Sequence, residues 1–199
     1  VNMSKDDYVV EKQQIDGFDL VISYDDIDWN PREQCDYLGT MAIFHSGYNL
    51  GDKHKYSKEA VIEIANSKDY ISLPIYMYDH SGITISVNPF GCRWDSGQVG
   101  YIFVSKEKIK SEFGWNRVTS KRLVKIKEYL TNEVKELDAY ITGQVYRFDV
   151  YKDEENLDGL GPFTDINDAI AEGKASIRSL ASRLGVQMSL EFAADSLLG

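Results

Sequence analysis

The chain has 199 residues, 43% of them hydrophobic, and a formal net charge of −10. That length suits one domain, or one domain with an appendage, and the hydrophobic share is ordinary for a globular protein. No apolar run approaches the roughly 20 residues of a membrane-spanning helix, the first residues lack the apolar core of a signal peptide, and the acidity argues against duplex DNA as a direct partner.

Taken in order, Asp19 to Tyr24 reads as a first strand after a turn at Asp16-Gly17. Residues 25–33 read as an acidic loop, with Pro31 biasing Asn30 away from helix. Thr40 to His45 is a second strand, and Gly47 and Gly51 punctuate the loop after it. Ser57 is placed to cap a short helix, with Glu59 in its first turn suiting the helix dipole. A central hairpin follows. Ile71, Leu73, Ile75 and Met77 alternate with more polar positions, Asp79 to Gly82 forms the turn with Gly82 free to take positive φ, and Ile83, Ile85 and Val87 alternate on the return. Pro74 lacks an amide donor, which predicts an edge strand or a bulge there.

Val99 to Val104 is apolar on both faces and reads as an inner strand covered by helices. Ser105 caps a short helix that Gly114 closes. Thr119 or Ser120 opens a long amphipathic helix. Its stripe is Leu123, Ile126, Leu130, Val134, Leu137 and Ile141, and Gly143 ends it. Gln144 to Tyr151 is a further strand, 153–163 an acidic glycine-bearing loop, and Thr164 the cap of a helix to about Ile177. The expected fold is α+β, a mostly antiparallel sheet with a central hairpin, covered by one long amphipathic helix and shorter ones. A single domain is expected over 1–178, with 179–199 as a C-terminal appendage, partly disordered.

Charge is unevenly spread. Residues 1–36 carry ten acidic side chains against three basic, and 148–172 carry eight against one, whereas 105–135 carry nine basic against four acidic. The basic face of the long helix lacks the aromatic interleaving of a nucleic-acid surface and reads as a solvated face.

Residues able to do chemistry gather between positions 79 and 97. Asp79, His80 and Ser81 are adjacent, but neighbours in a tight turn point apart, so a hydrolytic triad is not expected and Ser81 is a turn residue. Cys92 could serve as a nucleophile with His80 or His45 as base, against the commoner reading of a small buried side chain. His80, Cys92 and Asp95 are the candidate catalytic residues. Tyr76, Tyr78 and Trp94 are the candidate binding residues, with Trp94 read first as an indole packed inward to anchor its loop. The histidines and cysteines show no paired ligand spacing and no glycine pattern fits a nucleotide, so no metal and no cofactor is expected. Cys35 and Cys92 make no disulfide framework, which points to a reducing compartment and the cytoplasm.

A longer set of residues carries a resemblance. Asn30-Pro31-Arg32-Glu33, Leu38-Gly39-Thr40-Met41, Phe44-His45, Tyr48-Asn49-Leu50-Gly51-Asp52, Asp79-His80-Ser81-Gly82-Ile83, Pro89-Phe90, Cys92 and Trp94-Asp95-Ser96-Gly97-Gln98-Val99-Gly100 make the string similar, over about 19–150, to a family of uncharacterised proteins of bacteriophages, prophages and mobile elements. The chain departs from that pattern at Ala42, Ser46 and 159–163. No activity or catalytic residue comes with the resemblance. It implies a small phage-borne accessory protein in the host cytoplasm, acting by binding a host protein. By analogy the partner would be a nucleic-acid-binding one and the role inhibition of an anti-restriction or anti-CRISPR type. Acidic regions would meet the partner's basic surface. The alternative expectation is a small enzyme with its site in the 79–97 region.

Overall fold

The computed structural model describes residues 8–25 and 30–189. Part of the acidic stretch (26–29) and the last ten residues of the expected appendage (190–199) lie outside the described residues. In chain order the elements are β1 (Val9–Ile15), β2 (Phe18–Tyr24), α1 (Pro31–Gln34), β3 (Thr40–Ile43), α2 (Lys58–Asn66), β4 (Tyr70–Asp79), β5 (Ile83–Ser86), β6 (Ser96–Ser105), α3 (Lys106–Phe113), α4 (Ser120–Ile141), β7 (Tyr146–Lys152), β8 (Glu155–Phe163) and α5 (Ile166–Leu184). All strand pairs are antiparallel, in two four-stranded sheets, so the α+β class holds. The chain divides into two compact units where the sequence suggested one. The first combines Val1–Ile27 with Gly143–Gly199, and the second is Asp28–Thr142.

The first unit is a sheet of order β1-β2-β7-β8 with α5 on one face. Phe18, Leu20 and Ile22 of β2 and Phe148 and Val150 of β7 are buried against Ala169, Ile177, Leu180 and Ala181 of α5. Alternate residues of β2 point the other way, as period two requires. At Gly173 a Cβ would collide with Leu20, so glycine lets the helix approach the sheet. Two tight turns take φ values that L-residues rarely adopt, Asp16-Gly17 at 49° and 81° and Asp153-Glu154 at 50° and 66°. Both suit two-residue hairpins, whose twist needs positive φ at the central positions.

Three expectations are corrected here. Residues 155–163 form β8 rather than a loop, because an edge strand exposed along much of its length needs no apolar alternation. The cap of α5 is Asp165, whose side chain accepts from the Asn167 N–H, rather than Thr164. That helix also runs without a break through Leu184, across the boundary expected at 178, and Gly185 closes it at φ 68°.

The second unit is a sheet of order β3-β6-β4-β5 between α4 and α2. Ile126, Leu130, Val134 and Leu137 of α4 pack on Met41, Ile75, Met77, Ile85 and Ile102. On the other face Val61 of α2 covers Ala42 and Phe103. β6 lies inside the sheet, covered on both faces, as its apolar run predicts. Ser57, Ser105 and Thr119 each accept from a backbone N–H at the start of α2, α3 and α4. Pro74 sits in an inner strand, beside a register shift between Ile75 and Tyr76, and β5 pairs only from Tyr76 to Asp79. β4 therefore has no neighbour on its β5 side at the proline. The acidic loop expected over 25–33 contains α1, where Asn30 is extended and caps by accepting from the Arg32 N–H. Positive φ in the central hairpin falls on Ser81, at 58°, rather than on Gly82.

Candidate functional site

Most of the sequence-predicted site residues converge at the Asp79 end of β4. Three connections meet there: 44–50 after β3, the β4–β5 turn, and 87–95 before β6. The Asp79 N–H donates to the Asp95 carbonyl at 2.8 Å, which ties the second of these to the third. Asp95 is central. Its Oδ2 lies 3.5 Å from His80 Nδ1 and accepts from Cys92 Sγ at 3.4 Å. The Ser96 hydroxyl donates back to the Cys92 carbonyl, closing the loop on itself. Tyr78 lies 5.7 Å from Phe90 and 6.1 Å from His80, ring to ring. On the far side His45 stacks on Tyr48 at 5.0 Å, and the charge of Asp79, then partial burial and a hydrogen bond between the two, raise the Tyr48 phenol above its usual value. An open depression of about 590 Å³ runs along His45, Gly47, Tyr48 and Asn49.

Thus His80, Cys92 and Asp95 are brought together, with Tyr78 beside them. Tyr76 lies two positions back along β4 and pairs with Ser86 and Gln98. The arrangement is not that of an activated nucleophile. The Cys92 thiol faces a carboxylate, and His45 is engaged with Tyr48 and the Gly47 N–H. A nucleophilic cysteine needs its base within hydrogen-bond reach. His80 with Asp95 is a histidine steered by a carboxylate, which is half of an acid–base device. Its side chain is 63% exposed, so water is not excluded from it. Among the described residues no group of three or more His, Cys, Asp or Glu side chains is arranged to hold a metal ion.

Trp94 overturns its expected role. It is 95% exposed, so it anchors nothing in this fold. The short hydrogen-bonded ring through Cys92, Asp95 and Ser96, with Phe90 against Tyr78, holds the loop instead. The indole is left at the apex, flanked by Arg93 and Asp95.

Sequence reasoning missed a second cluster, beneath the sheet. Arg32, 2% exposed, donates from Nε and Nη2 to both oxygens of Asp52 at 2.7 and 2.6 Å. It also donates to Glu133 at 2.9 Å and to the Gly39 carbonyl at 2.8 Å, and it stacks 4.2 Å from the Tyr37 ring. Glu133 accepts in turn from the Leu38 and Gly39 N–H groups, and Asp52 from the Met41 N–H. Burial opposes the Arg32 charge, but Asp52 and Glu133 more than offset it and raise its pKa. Burial pushes the Glu133 carboxyl up, while the Gly39 N–H, Arg32 and the Leu38 N–H pull it back. With every group satisfied, the cluster is a clamp joining α1, the 35–39 turn, the 50–52 turn and α4. One signal was available: Glu133 sits on the apolar stripe of α4, three residues after Leu130, where a carboxylate requires a buried partner. Much of the resemblance string, from Asn30 through Gly39 to Asp52, is accounted for by this clamp.

Among the described residues no helix is long and apolar enough to cross a membrane. No protein-family model, no curated protein and no solved structure matches the chain.

Proposed function

We propose that the protein acts by binding a protein partner through the surface at the Asp79 end of β4, with Trp94 as the principal contact. The exposure of Trp94, at 95%, carries this reading. A large indole held out by a hydrogen-bonded loop adds nothing to folding, whereas tryptophan is among the residues that most often dominate interface energies. Tyr48, Tyr78 and Phe90 lie at the same end of β4, with the Asp79 carboxylate near Tyr48 and Asp95 next to Trp94 in the chain. With a net charge of −10, this favours a partner with a basic face, such as a protein that itself handles nucleic acid. The resemblance to phage-borne proteins suggests the setting: an accessory protein in a host cell, directed at a host nucleic-acid-targeting defence. The test is affinity capture from host lysate with the parent and with Trp94→Ala, scored by mass spectrometry. A partner held by the parent and lost by a variant of unchanged melting temperature is expected; equal retention by both would defeat the reading.

A second reading, a small enzyme, draws on the meeting of His80 and Asp95. His80→Ala separates the two. Loss of biological activity with partner capture intact would favour chemistry, and the binding reading expects capture and activity to fall together, through Trp94 rather than His80.

A further inference from the structure

We propose that the second unit carries another site, at the opposite end of β4, that binds the phosphate group of a small phosphorylated molecule of about mononucleotide size. It is a cavity of about 460 Å³ where the α2–β4 connection, the start of β4, the start of α3 and the first turns of α4 meet. Tyr70 and Asp79 bound β4, so nine strand steps of about 3.3 Å put it roughly 30 Å from the Trp94 surface.

Three lysines from three separate elements line this cavity: Lys68 before β4, Lys106 at the start of α3 and Lys127 on α4. Among the described residues no carboxylate lines it, in a chain that carries 32 acidic residues against 22 basic ones. Among the described residues none of the three is in an ion pair. Lys106 Nζ donates to the Lys68 carbonyl, which holds that ammonium in place and leaves its other N–H groups free. Three lysines around one cavity, with no carboxylate among its described lining, give it a positive potential that attracts an anion. This differs from the solvated basic face of a single helix, where side chains of one element diverge. Ser120 adds a hydroxyl, and the chain enters the 22-residue helix α4 there, so the backbone dipole adds to the lysines.

The charge and the size of the site limit the ligand. Lysines act as point charges suited to a phosphate carrying more than one negative charge. Tyr70 and Leu123 supply a less polar wall for an organic group, and the volume falls within the usual range of small-molecule sites. A nucleic-acid strand would have to extend beyond the cavity over an acidic molecule, which opposes it at long range.

The experiment titrates the full chain with adenosine triphosphate, inorganic phosphate and single-stranded oligonucleotides of two lengths, at near-physiological salt, by calorimetry and thermal shift. Saturable binding of adenosine triphosphate with Kd below about 1 mM is expected, with inorganic phosphate competing. The double variant Lys106→Met, Lys127→Met keeps the apolar stems and should weaken binding at least about tenfold. Lys135→Met, on α4 but outside the cavity, should leave binding unchanged, and so should Trp94→Ala, which tests the other surface. No saturable binding of either small probe, equal binding by the double variant, or affinity that climbs with oligonucleotide length would each overturn the proposal.

Discussion

Trp94 and Glu133 show how differently two residues can use burial. Trp94 sits in a loop closed by Cys92, Asp95 and Ser96 and presents its ring to solvent. Replacing it with alanine should change unfolding free energy by no more than about 0.5 kcal/mol, as at other exposed positions. Denaturant unfolding checks this, and a loss of several kcal/mol would restore the anchor role. Glu133 is the reverse, a carboxylate 6% exposed that satisfies two backbone N–H groups and Arg32. Glu133→Ala leaves the Arg32 guanidinium with one carboxylate and strands the Leu38 and Gly39 amides. A cost of about 3–5 kcal/mol is expected from equilibrium unfolding, the range for a broken buried ion pair. Glu133→Gln keeps an acceptor for the amides and should cost less.

The elements owe their placement to a few close approaches. β3 and β6 pair with Gly100 opposite Ile43, and a Cβ at Gly100 would collide with the Ala42 carbonyl. The neighbour is backbone, so it cannot swing aside. Gly100→Ala should therefore separate β3 from β6 locally and cost about 3 kcal/mol or more, at or beyond the upper end for overpacking. Amide hydrogen exchange at Phe44, whose N–H donates to the Val99 carbonyl at 2.8 Å, reads this out directly; protection equal to the parent would show that the pair tolerates the methyl group. α4 has its own close approach at Gly39, where a Cβ would collide with Leu130 and Ile102. Its stripe reaches the sheet through Ile126, Leu130, Val134 and Leu137, while Lys121, Lys125, Lys127 and Lys135 stay off that face.

For the whole molecule the division into two units has a consequence. Asp28–Thr142 is a continuous segment with its own sheet, helices and core, whereas the other unit is assembled from both ends of the chain. Residues 28–142 alone are expected to fold and to melt cooperatively by circular dichroism, as a domain with its own core should; a broad non-cooperative transition would refute this. The net charge of −10 gives a second expectation. The protein should show no submicromolar affinity for duplex DNA near physiological salt. Fluorescence anisotropy tests it, and tight binding that survives removal of the basic residues of α4 would contradict it.

The sequence alone determined whatever depends on neighbours two to four residues away. The caps at Ser57, Ser105 and Thr119, the closing glycine at 114, the α4 stripe and the alternation of the central hairpin all rest on such local periods. Those interactions exist before the chain is packed. Only the tertiary structure decided the rest. β8 is a strand because β7 offers it hydrogen bonds, although its own pattern is polar and glycine-bearing. Glu133 becomes a clamp because Arg32, 101 positions earlier, folds beneath the sheet to meet it. His80, Cys92 and Asp95 meet because the β4–β5 turn and the loop before β6 are tied at one end of the sheet, and that same tie leaves Trp94 outside. An indole packs inward only when something lies beneath it, and what lies beneath a loop is set by long-range packing that no local pattern encodes.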